Sequence, residues 1–262
     1  MLKKLLIHFE NSHTTQTEPE NLLVIEDEKD ADVSDTLVMS DDSGYLMKYR
    51  NAGFATLGVA QDDKYFEGEM YVVTDPSCCD YEYLNNVFCH TKGIPMVVLE
   101  TERTIVREMS VSDLPDLYEL YDDEMIARYV EPLYTYDEEA EYTKNYIRNM
   151  YCMMGFGVWL VYDKESGRLC GRCGLSVRNI NGGEIIELGY IIGNGFRQRG
   201  YATEVCGAII DYARNALGIE KLYIVASDDN RISALVAQKL GFVRVDEYGK
   251  KGESYGIFLK NL

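Results

Sequence analysis

No stretch of the sequence approaches the roughly 20 consecutive apolar residues that a helix needs to cross a bilayer, which excludes an ordinary membrane-spanning helix. The opening Met1–Glu10 is a short basic and apolar run with no small-residue cleavage site, so no leader is read there and a cytoplasmic protein is expected. Histidine is scarce, at three residues, and the seven cysteines (Cys78, Cys79, Cys89, Cys152, Cys170, Cys173 and Cys206) are odd in number and dispersed. That pattern argues against a disulfide framework and for free, mostly buried thiols. Cys170-Gly171-Arg172-Cys173 has the spacing of half a zinc site. No second pair accompanies it, and residues three apart on a strand face opposite sides, so no metal is expected. Cys78, Cys79, Cys89 and His90 could gather, but adjacent cysteines make awkward ligands. His8 and His13 carry no visible role.

Basic residues are also in deficit. Lys and Arg number 26 against 44 Asp and Glu, for a net charge of -18. Residues 1–103 carry -12 of this and residues 104–262 carry -6. Such a field repels phosphate backbones, so nucleic acid is not an expected partner, while cationic molecules are admitted. A merely solvated acidic surface reads the same way.

What is present is an α/β rhythm in two parts. In residues 1–103, short apolar runs at Leu22–Ile25, Thr36–Met39, Ala55–Val59, Met70–Val73 and Met96–Leu99 read as buried strands, with helical patterns at Tyr45–Asn51 and Tyr81–His90. Gly53 and Gly93 sit where helix-ending glycines belong. The expectation is a small parallel, Rossmann-like α/β domain, with Asn11–Glu20 as a loop. Met39-Ser40-Asp41-Asp42 and Val73-Thr74-Asp75 end strands with carboxylates, a weak likeness to haloacid-dehalogenase-like phosphatases. The Asp-x-Asp nucleophile followed by Gly and Thr is missing, so this domain is expected to be non-catalytic.

From Thr104 the pattern changes. A strand over Thr104–Met109, a helix entered near Ser112 and a Tyr-rich acidic loop and helix over Glu131–Met150 come first. Strands at Phe156–Tyr162, Leu169–Val177 and Glu184–Ile192 follow, then helix Tyr201–Leu217, strand Leu222–Ala226, helix Arg231–Leu240 and two closing strands near Phe242–Glu247 and Tyr255–Leu259.

The stretch from Glu187 to Glu204 carries the chemistry. A strand enters a loop with Gly193, Gly195 and Gly200, and an amphipathic helix begins at the last glycine. Ala202, Val205, Cys206, Ile209, Ile210, Ala213 and Leu217 repeat at the three-and-four spacing of one buried face. The first turn of such a helix has unpaired N–H groups and the positive end of the dipole, a site for a diphosphate. Gly200 lets the backbone approach, and Arg197 and Arg199 add charge.

Arg197-Gln198-Arg199-Gly200-Tyr201-Ala202 resembles the Arg/Gln-x-x-Gly-x-Gly/Ala coenzyme-A motif of GNAT N-acetyltransferases, and the element order from Thr104 to the C-terminus is similar to that fold. Asn230-Arg-Ile-Ser233 and Lys239-Leu-Gly-Phe242 resemble the Asn-x-x-Ser and Lys-x-Gly-Phe pieces of the ribosomal-protein N-terminal acetyltransferase branch. The resemblance covers about three-fifths of the chain. It implies a GNAT fold over residues 104–262, with a mixed, mostly antiparallel central sheet flanked by helices, behind the small α/β domain of residues 1–103.

It further implies an enzyme that moves acetyl from acetyl-CoA to a primary amine, without an acyl-enzyme and without a metal. The acceptor would be a protein N-terminus or a small cationic amine, the acidic Asp122–Glu124 and Asp137–Glu141 clusters favouring a cation. A homodimer is admitted. By resemblance, Arg197, Gln198, Arg199, Gly200, Tyr201, Ala202 and Thr203 hold the diphosphate, and a backbone N–H of Ile191 or Ile192 meets the thioester oxygen. Glu187 is the first candidate base and Glu131 the second, although Glu187 also reads as a surface glutamate or a structural ion pair. Asn230 would hold pantetheine amides or simply cap a helix. Where many relatives place a proton-donating tyrosine this chain has Ala237, which leaves Ser233 as donor to the thiolate. The alternative reading is an acetyl-CoA-binding sensor without turnover.

Overall fold

The structure is a computed structural model that describes residues 1–10, 19, 21–25, 27–60, 66–250 and 252–262. Most of the expected loop at 11–20, with His13, lies outside them. The chain divides into two units, Met1–Met96 and Val97–Leu262. No helix among the described residues is long and apolar enough to cross a membrane.

The first unit is a five-stranded parallel sheet of β1 (Lys4–His8), β2 (Leu23–Ile25), β3 (Thr36–Ser40), β4 (Ala55–Val59) and β5 (Val72–Val73), in the order β2-β1-β3-β4-β5. Every residue of β3 and β4 is buried. This explains their unbroken apolar character, because a strand covered on both faces has no solvent side on which to alternate. Leu37 and Met39 pack with Leu84, Val87 and Phe88 of α2 (Tyr81–Thr91), whereas Val38 packs with Leu46 and Tyr49 of α1 (Ser43–Asn51). The carboxylates at the strand ends serve as caps: Asp42 Oδ1 accepts from Gly44 N at 2.8 Å and Asp75 Oδ1 from Ser77 N at 2.9 Å. His90 Nδ1 meets the Tyr71 hydroxyl at 2.5 Å, and no metal-ligating cluster occurs among the described residues.

The second unit is an eight-stranded sheet in the order β12-β13-β11-β10-β9-β8-β7-β6. Its strands are β6 (Val97–Glu100), β7 (Thr104–Arg107), β8 (Val158–Asp163), β9 (Leu169–Ile180), β10 (Gly183–Ile192), β11 (Lys221–Ser227), β12 (Val243–Lys250) and β13 (Glu253–Asn261). All neighbours are antiparallel except β10 and β11. The run expected to close the first sheet, Met96–Leu99, is β6 of this one, so the units part at Met96 rather than after Arg103. Three residues separate β6 from β7. That is hairpin spacing, too short for the crossover a parallel neighbour requires.

The two faces of this sheet carry different helices. Cys173 of β9 touches Cys206 of α6 (Tyr201–Asn215), with sulfurs 3.5 Å apart, and Trp159 of β8 meets Tyr212 edge-on at 5.7 Å. Arg172, on the opposite face of β9, reaches Tyr121 at the end of α3 (Leu114–Tyr121). The layer on that side also holds α5 (Tyr136–Tyr146), opened by a Thr135/Glu138 capping box and continued by a π-helical turn over Ile147–Cys152. A short helix absent from the sequence reading, α4 (Glu124–Tyr129), is capped by Asp123. The β9–β10 hairpin turns on Asn181 and Gly182, at φ 52° and 82°. Two consecutive positive φ values make the tight turn that fits the twist of a hairpin, and Asn-Gly is the pair that adopts it most readily.

Candidate active site

The parallel strands β10 and β11 share one ladder pair, Glu187 with Tyr223. Beyond Glu187, β10 stays paired to β9 as far as Ile192, while β11 stays paired to β13. The edges of β10 and β11 therefore diverge into a wedge, and alternate backbone groups of Leu188–Ile192 point into it without a ladder partner. A Cβ placed on Gly189 would meet nothing within 4 Å. Amide N–H groups on such an edge are fixed donors for a carbonyl that enters the wedge.

At the mouth of the wedge the loop from Gly193 leads into α6. Gln198 and Gly200 both have positive φ, 58° and 86°. Gly200 stands at the N-cap without a side chain to cap the helix, so the first N–H groups of α6 have no capping acceptor. A residue outside the expected set braces this end. Arg103 Nε donates to Glu204 Oε2 at 2.7 Å, its Nη1 to the Arg199 carbonyl at 2.9 Å, and its guanidinium lies 4.2 Å from the Tyr201 ring centre. Thr101 adds a 2.6 Å bond to Glu204. Burial pushes the Glu204 carboxyl up, but the bonds from Thr101 and Arg103 outweigh it and hold the group below its ordinary value.

The two arginines of the motif behave differently. Arg197 Nε donates to the Ile192 carbonyl at 2.8 Å and its Nη2 pairs with Asp123 at 2.8 Å, which ties the loop to the cap of α4. Arg199 is exposed and makes one 3.2 Å bond to the Gly195 carbonyl, leaving most of its donors in solvent. The Tyr201 side chain is buried and donates to Asp163 at 2.6 Å, so this residue can offer a ligand its backbone only. Ala202 and Thr203 complete the first turn and are partly buried.

Glu187 lies in the sheet floor. Its two oxygens accept from Arg178 Nη1 at 2.8 and 2.9 Å, a diagonal cross-strand pair on one face. Burial pushes its carboxyl up, and Arg178 offsets part of that. Glu131 is exposed, and it and Arg178 both lie within electrostatic reach of Tyr255, whose hydroxyl donates to Glu253 at 2.6 Å. The two candidate carboxylates thus border the same region around Arg178 and Tyr255.

On the opposite face, the Tyr190 hydroxyl of β10 lies 3.1 Å from the Ser233 hydroxyl in the first turn of α7 (Arg231–Lys239). Burial pushes the Tyr190 hydroxyl up, and its bond to Ser233 opposes this. Asn230 caps α7, with Oδ1 accepting from Ser233 N at 3.1 Å, so the capping role is realised. Ala237 is fully buried.

The family described as "Acetyltransferase (GNAT) domain" matches residues 103–243, more than half of the chain. The chain belongs to the GNAT family. Among its relatives is the uncharacterized protein YkkB of Bacillus subtilis, 30% identical over 55% of this chain and 83% of that protein. An uncharacterized N-acetyltransferase, p20, of Bacillus licheniformis is 24% identical over 64% of this chain and 96% of its own length. Among solved structures, the ribosomal-protein-S5-alanine acetyltransferase from Vibrio fischeri superimposes with a TM-score of 0.55 at 17% identity, covering 62% of this chain and 95% of that one. At that identity the likeness is one of fold. The GNAT match begins at Arg103, the residue that clasps α6, and the first unit lies wholly outside it.

Within this GNAT domain the residues read from the sequence fall at the wedge edge, along the loop and first turn of α6, and at the start of α7, with Glu131 apart from them near Tyr255. Arg103, Tyr190 and Arg178 were not legible as site residues. Tyr190 has a local signal, since it follows Gly189 inside the motif. Arg103 and Arg178 have none, because their partners lie at sequence separations of 101 and 9 across a turn or a ladder.

Proposed function

We propose that the second unit transfers an acetyl group from acetyl-CoA to a primary amine by direct attack within a ternary complex. The observation that carries this reading is the wedge between β10 and β11, opening beside an uncapped helix start. A thioester laid along the wedge has its oxygen near the Ile192 amide, because the Ile191 backbone faces β9, and its diphosphate falls at Gln198–Thr203 beside Arg199. Arg197, tied to Ile192 and Asp123, positions that loop rather than charging it.

The proton traffic is divided between the two faces of β10. An amine with a pKa near ~10 must lose a proton before it attacks. Glu187, on the face of Arg178, takes that proton directly or through a water, with Glu131 as the second carboxylate at that end. The nitrogen–carbon bond forms, the carbon–sulfur bond breaks, and the departing thiolate receives a proton from the Tyr190–Ser233 hydroxyl pair on the other face. This pair supplies a donor that Ala237 cannot, which favours an enzyme over an acetyl-CoA sensor. The acceptor class at this level is a primary amine, either a protein N-terminus or a small molecule, and the first unit has no step in the reaction.

Thiol release with a panel of amines, beside calorimetry with acetyl-CoA, tests the reading. Turnover that falls in Glu187→Gln with acetyl-CoA affinity retained supports it. Tight acetyl-CoA binding with no turnover on any amine leaves a sensor, and no binding removes the assignment.

A further inference from the structure

Two buried side-chain polar atoms have no hydrogen-bond partner among the described residues, Arg172 Nε and Thr143 Oγ1. Arg172 stands out because it carries charge. Its one hydrogen bond runs from Nη1 to the Tyr121 hydroxyl at 2.9 Å, and it has no carboxylate within ion-pair distance among the described residues. A guanidinium has five N–H donors in a planar fork, and a cation taken from water is costly unless an anion accompanies it.

Its surroundings are phenolic. Tyr142, Tyr146 and Tyr151 all lie within electrostatic reach of it. The Tyr146 hydroxyl accepts from Val158 N and the Tyr151 hydroxyl donates to Val158 O, each at 2.7 Å, so neither meets Nε. Tyr142 is 45% exposed and marks the side of the cluster nearest to solvent. Thr143 sits on α5 between Tyr142 and Tyr146, so the second orphaned atom belongs to the same layer.

The sheet register relates this group to the reaction site. Arg172 pairs across the ladder with Ile191, Gly174 with Gly189, and Ser176 with Glu187, so Arg172, Gly189 and Glu187 project on one face. Gly189, with open space above it, separates the carboxylate at one end of the row from the guanidinium at the other. Four residues at about 3.3 Å each put roughly 13 Å between the Cα positions of Glu187 and Ile191, with the Glu187 carboxylate held by Arg178 at the far end of that row.

Resting on the acetyltransferase reading above, we infer that the acceptor amine also carries a carboxylate, which the Arg172 guanidinium binds. Such an acceptor is amino-acid-like: its nitrogen lies over Gly189 toward Glu187, while its carboxylate takes the unmet Nε–H and a neighbouring N–H of Arg172 side-on. The class replaces the simple cationic amine that the acidic surface suggests. Arg172 is a binding residue for the acceptor, and Tyr142 lines the approach.

The test is calorimetry on the full chain, with coenzyme A present, titrating N-acetylated amino acids and N-acetylated dipeptides against their primary amides. These product-like ligands need no turnover. The expected result is that free acids bind at least about 10-fold more tightly than their amides. That preference should disappear in Arg172→Gln and weaken in Arg172→Lys, with acetyl-CoA affinity unchanged in both. Preference among single amino acids identifies a free amino acid as source, and preference among dipeptides alone identifies a peptide end. No difference between acid and amide anywhere in the wild-type panel, or a preference that survives Arg172→Gln, overturns the inference. If Arg172→Gln fails to fold, Arg172→Lys and the wild-type comparison decide it. Acetyl-CoA binding without discrimination refutes this inference alone. Discrimination without acetyl-CoA binding refutes the acetyltransferase reading and leaves the anion site standing.

Discussion

Glu187 and Arg178 join two strands of the sheet and, in the proposed reaction, the same contact sets the basicity of the carboxylate. The pair is half sealed from water, so burial and the arginine charge act on the carboxyl in opposite directions. Removing Arg178 takes away the larger of the two influences that favour the charged form, the other being a backbone bond from Val225, and raises the carboxyl further. In Arg178→Met the acid limb of the kcat/KM profile is therefore expected to move to higher pH, with the plateau reached later. A limb that stays in place would assign the base elsewhere. Glu187→Gln should lower kcat/KM by about 10²–10⁴ with acetyl-CoA affinity held, the range for loss of a positioned general base. At this scale the sequence was legible where structure is local: Gly200 opens α6 at positive φ and Asn230 caps α7, whereas Glu187 and Ser233 are candidates by resemblance. Arg172 was opaque, because its significance comes from what it lacks in three dimensions, and no spacing along the chain encodes a missing partner.

Elements are held in place by buried charge pairs that the sequence does not advertise. Arg107 of β7 donates to Asp113 at 2.9 and 2.6 Å, and Asp113 also accepts from Ser110 and Tyr162, which fixes the entry to α3. Although burial works against it, the arginine and these bonds hold the Asp113 carboxyl down at about 2. A depressed carboxyl stabilises the fold above its unfolded value and loses that contribution as pH falls through the folded one. Asp113→Asn should thus cost about 2 kcal/mol near neutral pH, by about 1.4 kcal/mol per unit. The difference from wild type should shrink between about pH 4 and pH 2 in chemical denaturation. Gly200→Val forces a β-branched side chain to φ 86°, a region that L residues adopt only with strain. It should lower acetyl-CoA affinity in calorimetry by a larger free energy than it removes from the stability of the second unit in chemical denaturation. The longer helices and central strands followed from period and caps. β1 and α4 did not: Lys4–His8 mixes charge with apolar residues, and α4 spans six residues, less than two helical turns. β6 read correctly as a strand but was given to the wrong sheet, because an apolar run does not say which neighbour it will pair with.

Across the whole molecule, each unit has its own core: two clusters flank the first sheet, and a third, larger one fills the second unit. A ligand held entirely by the second should act on that one selectively. Differential scanning calorimetry is expected to resolve two components, with acetyl-CoA at about 100 times its Kd adding about 2.7 kcal/mol to one. For a unit of this size that is a rise of about 5–10 °C in its melting point. A shift of both components would mean that the units melt as one. The net charge of -18 supplies a second expectation at this scale. A polyamine acceptor would be drawn in by that field and its kcat/KM would fall steeply with salt, whereas an amino-acid-like acceptor carries both signs and should respond weakly.

The Asn181-Gly182 turn sets more than the direction of the chain. Successive residues of β10 look to opposite sides, so the count from that turn decides which side carries Glu187 and which carries Tyr190, the two ends of the proposed proton traffic. One residue inserted there would exchange them, sending the carboxylate toward α7 and the tyrosine toward α3 while the motif itself stayed intact. The facing of these two side chains is kept, in effect, by the arithmetic of a two-residue bend.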